Sequence, residues 1–373
     1  MYNKKILILS EAFGTGHTKA AEALAENISL LAPAVRTQIV EAGHPISTTL
    51  MFRLYVQLIT TYPSALRKLY EKKQSQPVSK RLQYVIYQMF HRKVKDLLDQ
   101  EKPHLVVCTH PFTSSSMSRL KRIGYPFKLC TVITDFHAHG VWVQPEVDLY
   151  LVSSDAVQQE LVDMGVNKSR IRITGIPTKA TFWSKHDKQE VRRKLQLKDM
   201  PTVMVMGGGY GLGGIGRLAH TLAKWKESLQ LIICAGHNET LKQALSEHAS
   251  FHHPHIRVLG FVDTIDQWMD ASDLLITKPG GLTCFEALSK GIPMLLFQPI
   301  PGHEEQNCDF LISNQLAVRI DSENEVDDWI HTLLFCPREM ELFQERMKRY
   351  TQKIDPLDSA ASIMQLLLPK DFD

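Results

Sequence analysis

The chain has no CxxC pair: its six cysteines, at positions 108, 130, 234, 284, 308 and 336, stand singly. That scatter excludes a disulfide framework and a zinc ribbon, and it fits reduced structural thiols in an intracellular protein. No apolar run approaches the roughly 20 residues needed to cross a bilayer. Lys4-Lys5 precede only a four-residue apolar run and then a glycine turn, so no secretory signal is expected. Any membrane contact should therefore be peripheral. A net charge of +3 is too small to imply a nucleic-acid partner. The P-loop pattern GxxxxGK[ST] is absent.

What is present is a strand, a glycine turn and a helix, twice. At 373 residues and 44% hydrophobic, the chain favours two domains over one. The apolar run 6–9 enters Ser10-Glu11-Ala12-Phe13-Gly14-Thr15-Gly16-His17, and the alanine-rich segment 18–31 reads as a helix. Further strands are expected at 105–108, 129–133, 149–152 and 171–173, with a helix over 156–164. After the basic stretch 185–199, strand 202–206 enters a loop containing Gly207, Gly208, Gly209, Gly211, Gly213 and Gly214, then a helix over 215–226. Strands follow at 229–234, 256–259, 274–276 and 294–297, with closing helices from 327 onward. This alternation predicts an α/β fold of two similar halves with parallel sheets, facing across a cleft.

Segment 51–98 breaks the pattern. It reads as two helices interrupted near Tyr62-Pro63 and Gln76-Pro77. Between Arg67 and Lys95 stand nine Lys or Arg and one acid, a local charge of +8, interleaved with Tyr70, Tyr84, Tyr87 and Phe90. Lys72, Lys73, Lys80 and Arg81 lead the candidates for contact with an anionic bilayer, where each basic residue adds about 1 kcal/mol and aromatics favour the interface. The alternative is a solvated helical hairpin whose aromatics face its own core.

Thr277-Lys278-Pro279-Gly280-Gly281-Leu282-Thr283-Cys284-Phe285-Glu286 is the richest segment. Two glycines at a helix start allow close backbone approach, and unpaired N-terminal amides attract phosphate. Together with Thr134-Asp135-Phe136-His137-Ala138-His139-Gly140-Val141-Trp142, Gly260-Phe261-Val262 and Pro301-Gly302-His303-Glu304-Glu305-Gln306-Asn307, it resembles the MurG-like nucleotide-sugar glycosyltransferases of family 28. The branch making monogalactosyl- and glucosyl-diacylglycerols is the nearer likeness. The resemblance covers nearly the whole chain, with the motifs in order.

The resemblance implies a GT-B fold: an acceptor domain over 1–178, a UDP-sugar domain over 179–350, and a C-terminal helix over 351–373 packing back on the first domain. It implies that Glu286 holds the ribose hydroxyls, that Phe261 and Val262 lie beside the uracil, and that Glu305, Gln306 and Asn307 meet the donor sugar or its phosphate. The segment Pro279, Gly280, Gly281, Leu282, Thr283 would carry the diphosphate, and Gly207–Gly209 with Gly213 would bring backbone near the diphosphate or the acceptor side of the cleft. Each has a plainer reading: helix charge complementarity for Glu286, core packing for Phe261, a helix cap for Gln306 or Asn307. Gly14, Gly16, His139 and Trp142 fall on the acceptor side. His17 and Asp135 are both candidates for the base that deprotonates an acceptor hydroxyl. His137 and His139 lack a third ligand, so no metal site is expected there. No DxD pair stands where a divalent cation is normally held, and no cofactor is expected beyond the UDP-sugar.

The expected activity is inverting transfer of a hexose from UDP-hexose to diacylglycerol or a glycosyl-diacylglycerol, at the cytoplasmic face of the membrane. A polyprenyl-linked or small acceptor, a UDP-sugar 2-epimerase and a non-catalytic nucleotide- or membrane-binding module remain the alternatives.

Overall fold

The computed structural model describes residues 4–11, 14–43 and 79–368, with backbone only at 80, 82, 89, 90 and 323. Much of the basic aromatic insertion, including Lys72, Lys73 and both proline breaks, lies outside the described residues. The chain forms two compact units. One comprises Met1–Ala180, Pro301–His303 and Ile354–Asp373; the other comprises Thr181–Ile300 and Glu304–Lys353.

The first unit is built on a six-stranded parallel sheet in the order β2-β1-β3-β4-β5-β6. Its strands are β1 Lys5–Ser10, β2 Arg36–Glu41, β3 Leu105–Cys108, β4 Lys128–Val132, β5 Leu149–Val152 and β6 Ile171–Ile173. The central strands are continuous apolar runs because helices cover both faces of the sheet. One face packs on Val94, Met117 and Leu161. The other packs on Leu24 and Ile28 of helix Thr15–Leu31 and on Ala360, Ile363 and Met364 of helix Asp358–Leu367. The last helix is thus part of this core. Asn27 clasps it further, donating to the Thr178 and Pro356 carbonyls at 3.2 Å each.

Helix Lys80–Ile86 continues through a π-helical turn, Tyr87–His91, into helix Arg92–Glu101. Its aromatics divide: Tyr87 is buried, whereas Tyr84 is 47% exposed beneath the Arg119 guanidinium.

In the second unit the parallel order is β12-β11-β10-β7-β8-β9. The strands are β7 Thr202–Met206, β8 Gln230–Cys234, β9 Ile256–Leu259, β10 Leu274–Thr277, β11 Met294–Phe297 and β12 Val318–Ile320. All six cysteines are free, and only Cys336 is exposed. Among the described residues no helix is long and apolar enough to cross a membrane.

Candidate active site

In each sheet the chain reverses its direction of build-out at one place, and parallel sheets bind ligands beyond the strand C-termini there. In the first unit that place is between β1 and β3. Helix Thr15–Leu31 follows β1 after Gly14, whose φ of +119° no L side chain adopts comfortably. His17, in its first turn, meets the segments that follow β3 and β4. Its Nδ1 donates to the Thr109 carbonyl at 2.8 Å, and the same N–H faces Thr134 Oγ1 at 2.9 Å. With the proton on Nδ1, the lone pair is on Nε2, the form an imidazole needs to accept a proton. Burial pushes the His17 pKa below the ordinary imidazole value, partly opposed by the charge of Asp135. Both base candidates are therefore brought into one electrostatic neighbourhood.

Several partners here carry no sequence signal of their own. His110 N-caps helix Pro111–Arg122 by accepting from Phe112 N at 3.2 Å, and its ring meets His17 edge-on with centroids 4.7 Å apart. Glu160, on helix Asp155–Asp163, accepts from His137 Nδ1 and from Ala138 N at 2.7 Å each, fixing the turn after Asp135. Burial pushes His139 down to about 3, so it is neutral at physiological pH. Trp142 is 1% exposed within the hydrophobic core, which places it below any acceptor surface.

In the second unit the switch point lies between β7 and β10. The β7 loop is so tight that a Cβ on Gly207 would sit 2.3 Å from the Leu212 carbonyl oxygen. His237 N donates to Gly209 O at 2.8 Å, tying the loop after β8 to it. The His237 ring stacks on Phe261, with centroids 4.2 Å apart and planes 11° from parallel. Phe261 is 36% exposed, so the pair forms an accessible aromatic shelf rather than core.

Helix Gly281–Lys290 starts at Gly280 without a side-chain cap, leaving its first amides to another acceptor. Thr283, Glu286 and Lys290 are half-buried on one face, opposite the buried Phe285 and Leu288. Pro279 and Leu282 are buried beside this turn.

Lys278 extends along the glycine loop: a Cβ on Gly208 would lie 3.1 Å from its Cε. Its Nζ pairs with Glu304, whose second oxygen accepts from Ile300 N at 2.9 Å. Asn307 is fully buried and donates to the Pro279 carbonyl at 3.1 Å, so it braces the turn that leads into helix Gly281–Lys290. Glu305 and Gln306 remain partly accessible on helix His303–Ser313. Among the described residues, no group of three or more His, Cys, Asp or Glu is placed to hold a metal ion.

Comparison with known proteins covers both units. Residues 17–178 match the family model for monogalactosyldiacylglycerol (MGDG) synthase, and residues 202–363 match the glycosyltransferase family 28 C-terminal domain. A processive diacylglycerol beta-glucosyltransferase of Bacillus mycoides is 31% identical, across 99% of this chain and 94% of the relative. Among solved structures, Acinetobacter baumannii MurG has a TM-score of 0.60 at 16% identity, covering 97% of this chain and 99% of that one. Anabaena HepE, solved with UDP and glucose, has a TM-score of 0.61 at 15% identity, covering 98% and 99%.

Proposed function

Because this chain belongs to the family of the processive diacylglycerol beta-glucosyltransferases, a family 28 group of GT-B fold, we propose that it moves glucose from UDP-glucose to diacylglycerol. The observation that carries the chemistry is the tautomer of His17: Nδ1 is committed to the Thr109 carbonyl, and Nε2 is the proton acceptor. An acceptor hydroxyl gives its proton to Nε2 as its oxygen attacks the anomeric carbon. Bond formation opposite the departing UDP inverts an α-linked donor to a β-glycoside. Asp135 stabilises the imidazolium that forms, which fits the direction of its electrostatic effect on His17.

On the donor side, the open amides at Gly281 and the Lys278 ammonium meet the diphosphate as its charge grows. Glu286 accepts from the ribose diol, and the His237–Phe261 shelf receives the base. The basic helix surface at Arg81, Arg92 and Lys93 holds the protein peripherally at an anionic membrane, on the cytoplasmic side where UDP-sugars are found. The exposed Tyr84 supports this reading.

The test is incubation with UDP-glucose or UDP-galactose and diacylglycerol in anionic vesicles, with products resolved by mass and linkage. A β-glucosyl-diacylglycerol is expected, and longer products if the glycolipid serves again as acceptor. Intact UDP-sugar binding with no glycolipid formed would overturn the acceptor; a galactolipid formed in preference would overturn the donor.

A further inference from the structure

Glu11 and His91 stand 80 residues apart, and both side chains are fully buried. His91 Nε2 donates to Glu11 Oε1, while its Nδ1 lies 2.7 Å from Ser116 Oγ. The tautomer that serves Glu11 leaves Nδ1 to accept the Ser116 hydroxyl proton. Glu11 directly follows β1 and precedes His17 by six residues. His91 closes the π-helical turn, and Ser116 sits on helix Pro111–Arg122. That same helix begins at His110, against the His17 ring, and the Thr109 carbonyl just before it holds His17 Nδ1. Glu11, through His91 and Ser116, and His17, through Thr109 and His110, thus both bear on helix Pro111–Arg122 or on the residues that lead into it.

A buried carboxylate costs several kcal/mol unless paired, and here His91 supplies the pairing. Glu11 Oε2 has no hydrogen-bond partner among the described residues. π-Helical turns cost hydrogen-bond geometry and recur at functional sites.

We propose that Glu11, His91 and Ser116 form a positioning network that sets the segment carrying His17 and couples it to the helix leaving the basic insertion. This rests on the reading of His17 as base. Glu11→Ala releases the base of the segment, whereas Glu11→Gln keeps an acceptor oxygen for His91 Nε2. His17 is faced by Asp135 from the loop after β4, by His110 ahead of its helix, and by His303 of the same unit. A shifted ring changes its distance from each of them.

The experiment titrates the full chain labelled with 13C-histidine, assigning His17 by its loss in His17→Gln, and measures kcat in parallel. In Glu11→Ala the His17 midpoint should move, and kcat should fall on the order of 10- to 100-fold. KM for UDP-glucose should stay within about twofold, with Glu11→Gln restoring most of the loss. His91→Gln and Ser116→Ala supply the same readouts should Glu11→Ala fail to fold. An unmoved His17 midpoint in folded variants overturns the inference, whatever happens to Tm. The titration needs no acceptor. Failure to glucosylate diacylglycerol would therefore sink the proposed function while leaving this measurement decisive.

Discussion

His17 Nδ1 lies 2.8 Å from the carbonyl oxygen of Thr109, a backbone atom that no substitution removes. The ring orientation is thereby set in part by the backbone just after β3, together with Thr134 Oγ1 and the His110 ring. His17→Gln preserves a donor amide in this place but supplies no basic nitrogen. Turnover should fall on the order of 10²- to 10⁴-fold, the span of general-base contributions, while UDP-glucose KM changes little. Steady-state kinetics on vesicles checks this; full turnover in His17→Gln would move the base to Asp135.

The acid limb of activity follows from burial. Burial holds His17 below its ordinary value of 6.5, so the base is already neutral at pH 7. Activity should be flat above neutrality and decline only below about 6.5. Stability shares that direction. His17, His110 and His139 are all lowered by burial, so below 6.5 the unfolded chain takes up protons that the folded chain refuses. Tm should be insensitive to pH above 7 and fall as pH drops from 6.5 toward 5. A Tm that rises on acidification would contradict the assignment.

Glu286→Ala should act on the donor alone. Hydrogen bonds to a charged acceptor are worth about 1.5–3 kcal/mol, so KM for UDP-glucose should rise about 10- to 150-fold. Its partly accessible place on the Gly281–Lys290 helix makes a change in Tm small. Calorimetric titration with UDP separates the two effects.

The central strands were legible because each is a short apolar run buried on both sides of a parallel sheet. β2 and β12 were not. Arg36-Thr37-Gln38-Ile39-Val40-Glu41 is only partly buried along its length, and Val318–Ile320 is three residues with an arginine at its centre. Both are edge strands, paired on one side only, where the hydrophobic demand that marks inner strands is relaxed. The tight loop after β7 and the glycine start of helix Gly281–Lys290 were legible from local order, since backbone approach and helix termini are short-range properties. Glu11 with His91, Lys278 with Glu304, and Glu160 with His137 were not, because each pair joins segments that only the tertiary fold brings together. Asn307 also donates to the Pro279 carbonyl, a contact across 28 residues that local order does not announce.

Gly207→Ala tests whether the β7 loop is as tight as it looks. The new methyl would fall 2.3 Å from Leu212 O and 2.6 Å from Gly211 C, both backbone atoms that cannot swing aside. Displacing them costs about 1–3 kcal/mol, and the loop after β7 loses its shape. Tm should drop and UDP affinity should weaken at least about tenfold. Gly124→Ala is the control for glycine replacement as such, having open space around its Cβ but φ of +109°. It should lower Tm without touching UDP affinity.

Lys278 and Glu304 should behave as a coupled pair. Glu304 is 1% exposed, and its two oxygens take Lys278 Nζ and Ile300 N. Lys278→Met strands a buried carboxylate, at a cost of about 3–5 kcal/mol in stability. Glu304→Gln in the same chain removes that charge, so the double variant should be more stable than Lys278→Met alone. UDP binding should follow a different rule. The ammonium is missing from both variants, and both should bind UDP more weakly than wild type whatever their Tm. A double-mutant cycle in Tm and in UDP affinity separates the roles. If restoring Tm also restored UDP affinity, Lys278 would act only by holding the turn at Pro279–Gly281 in shape. If affinity stayed low, its charge is part of the diphosphate site.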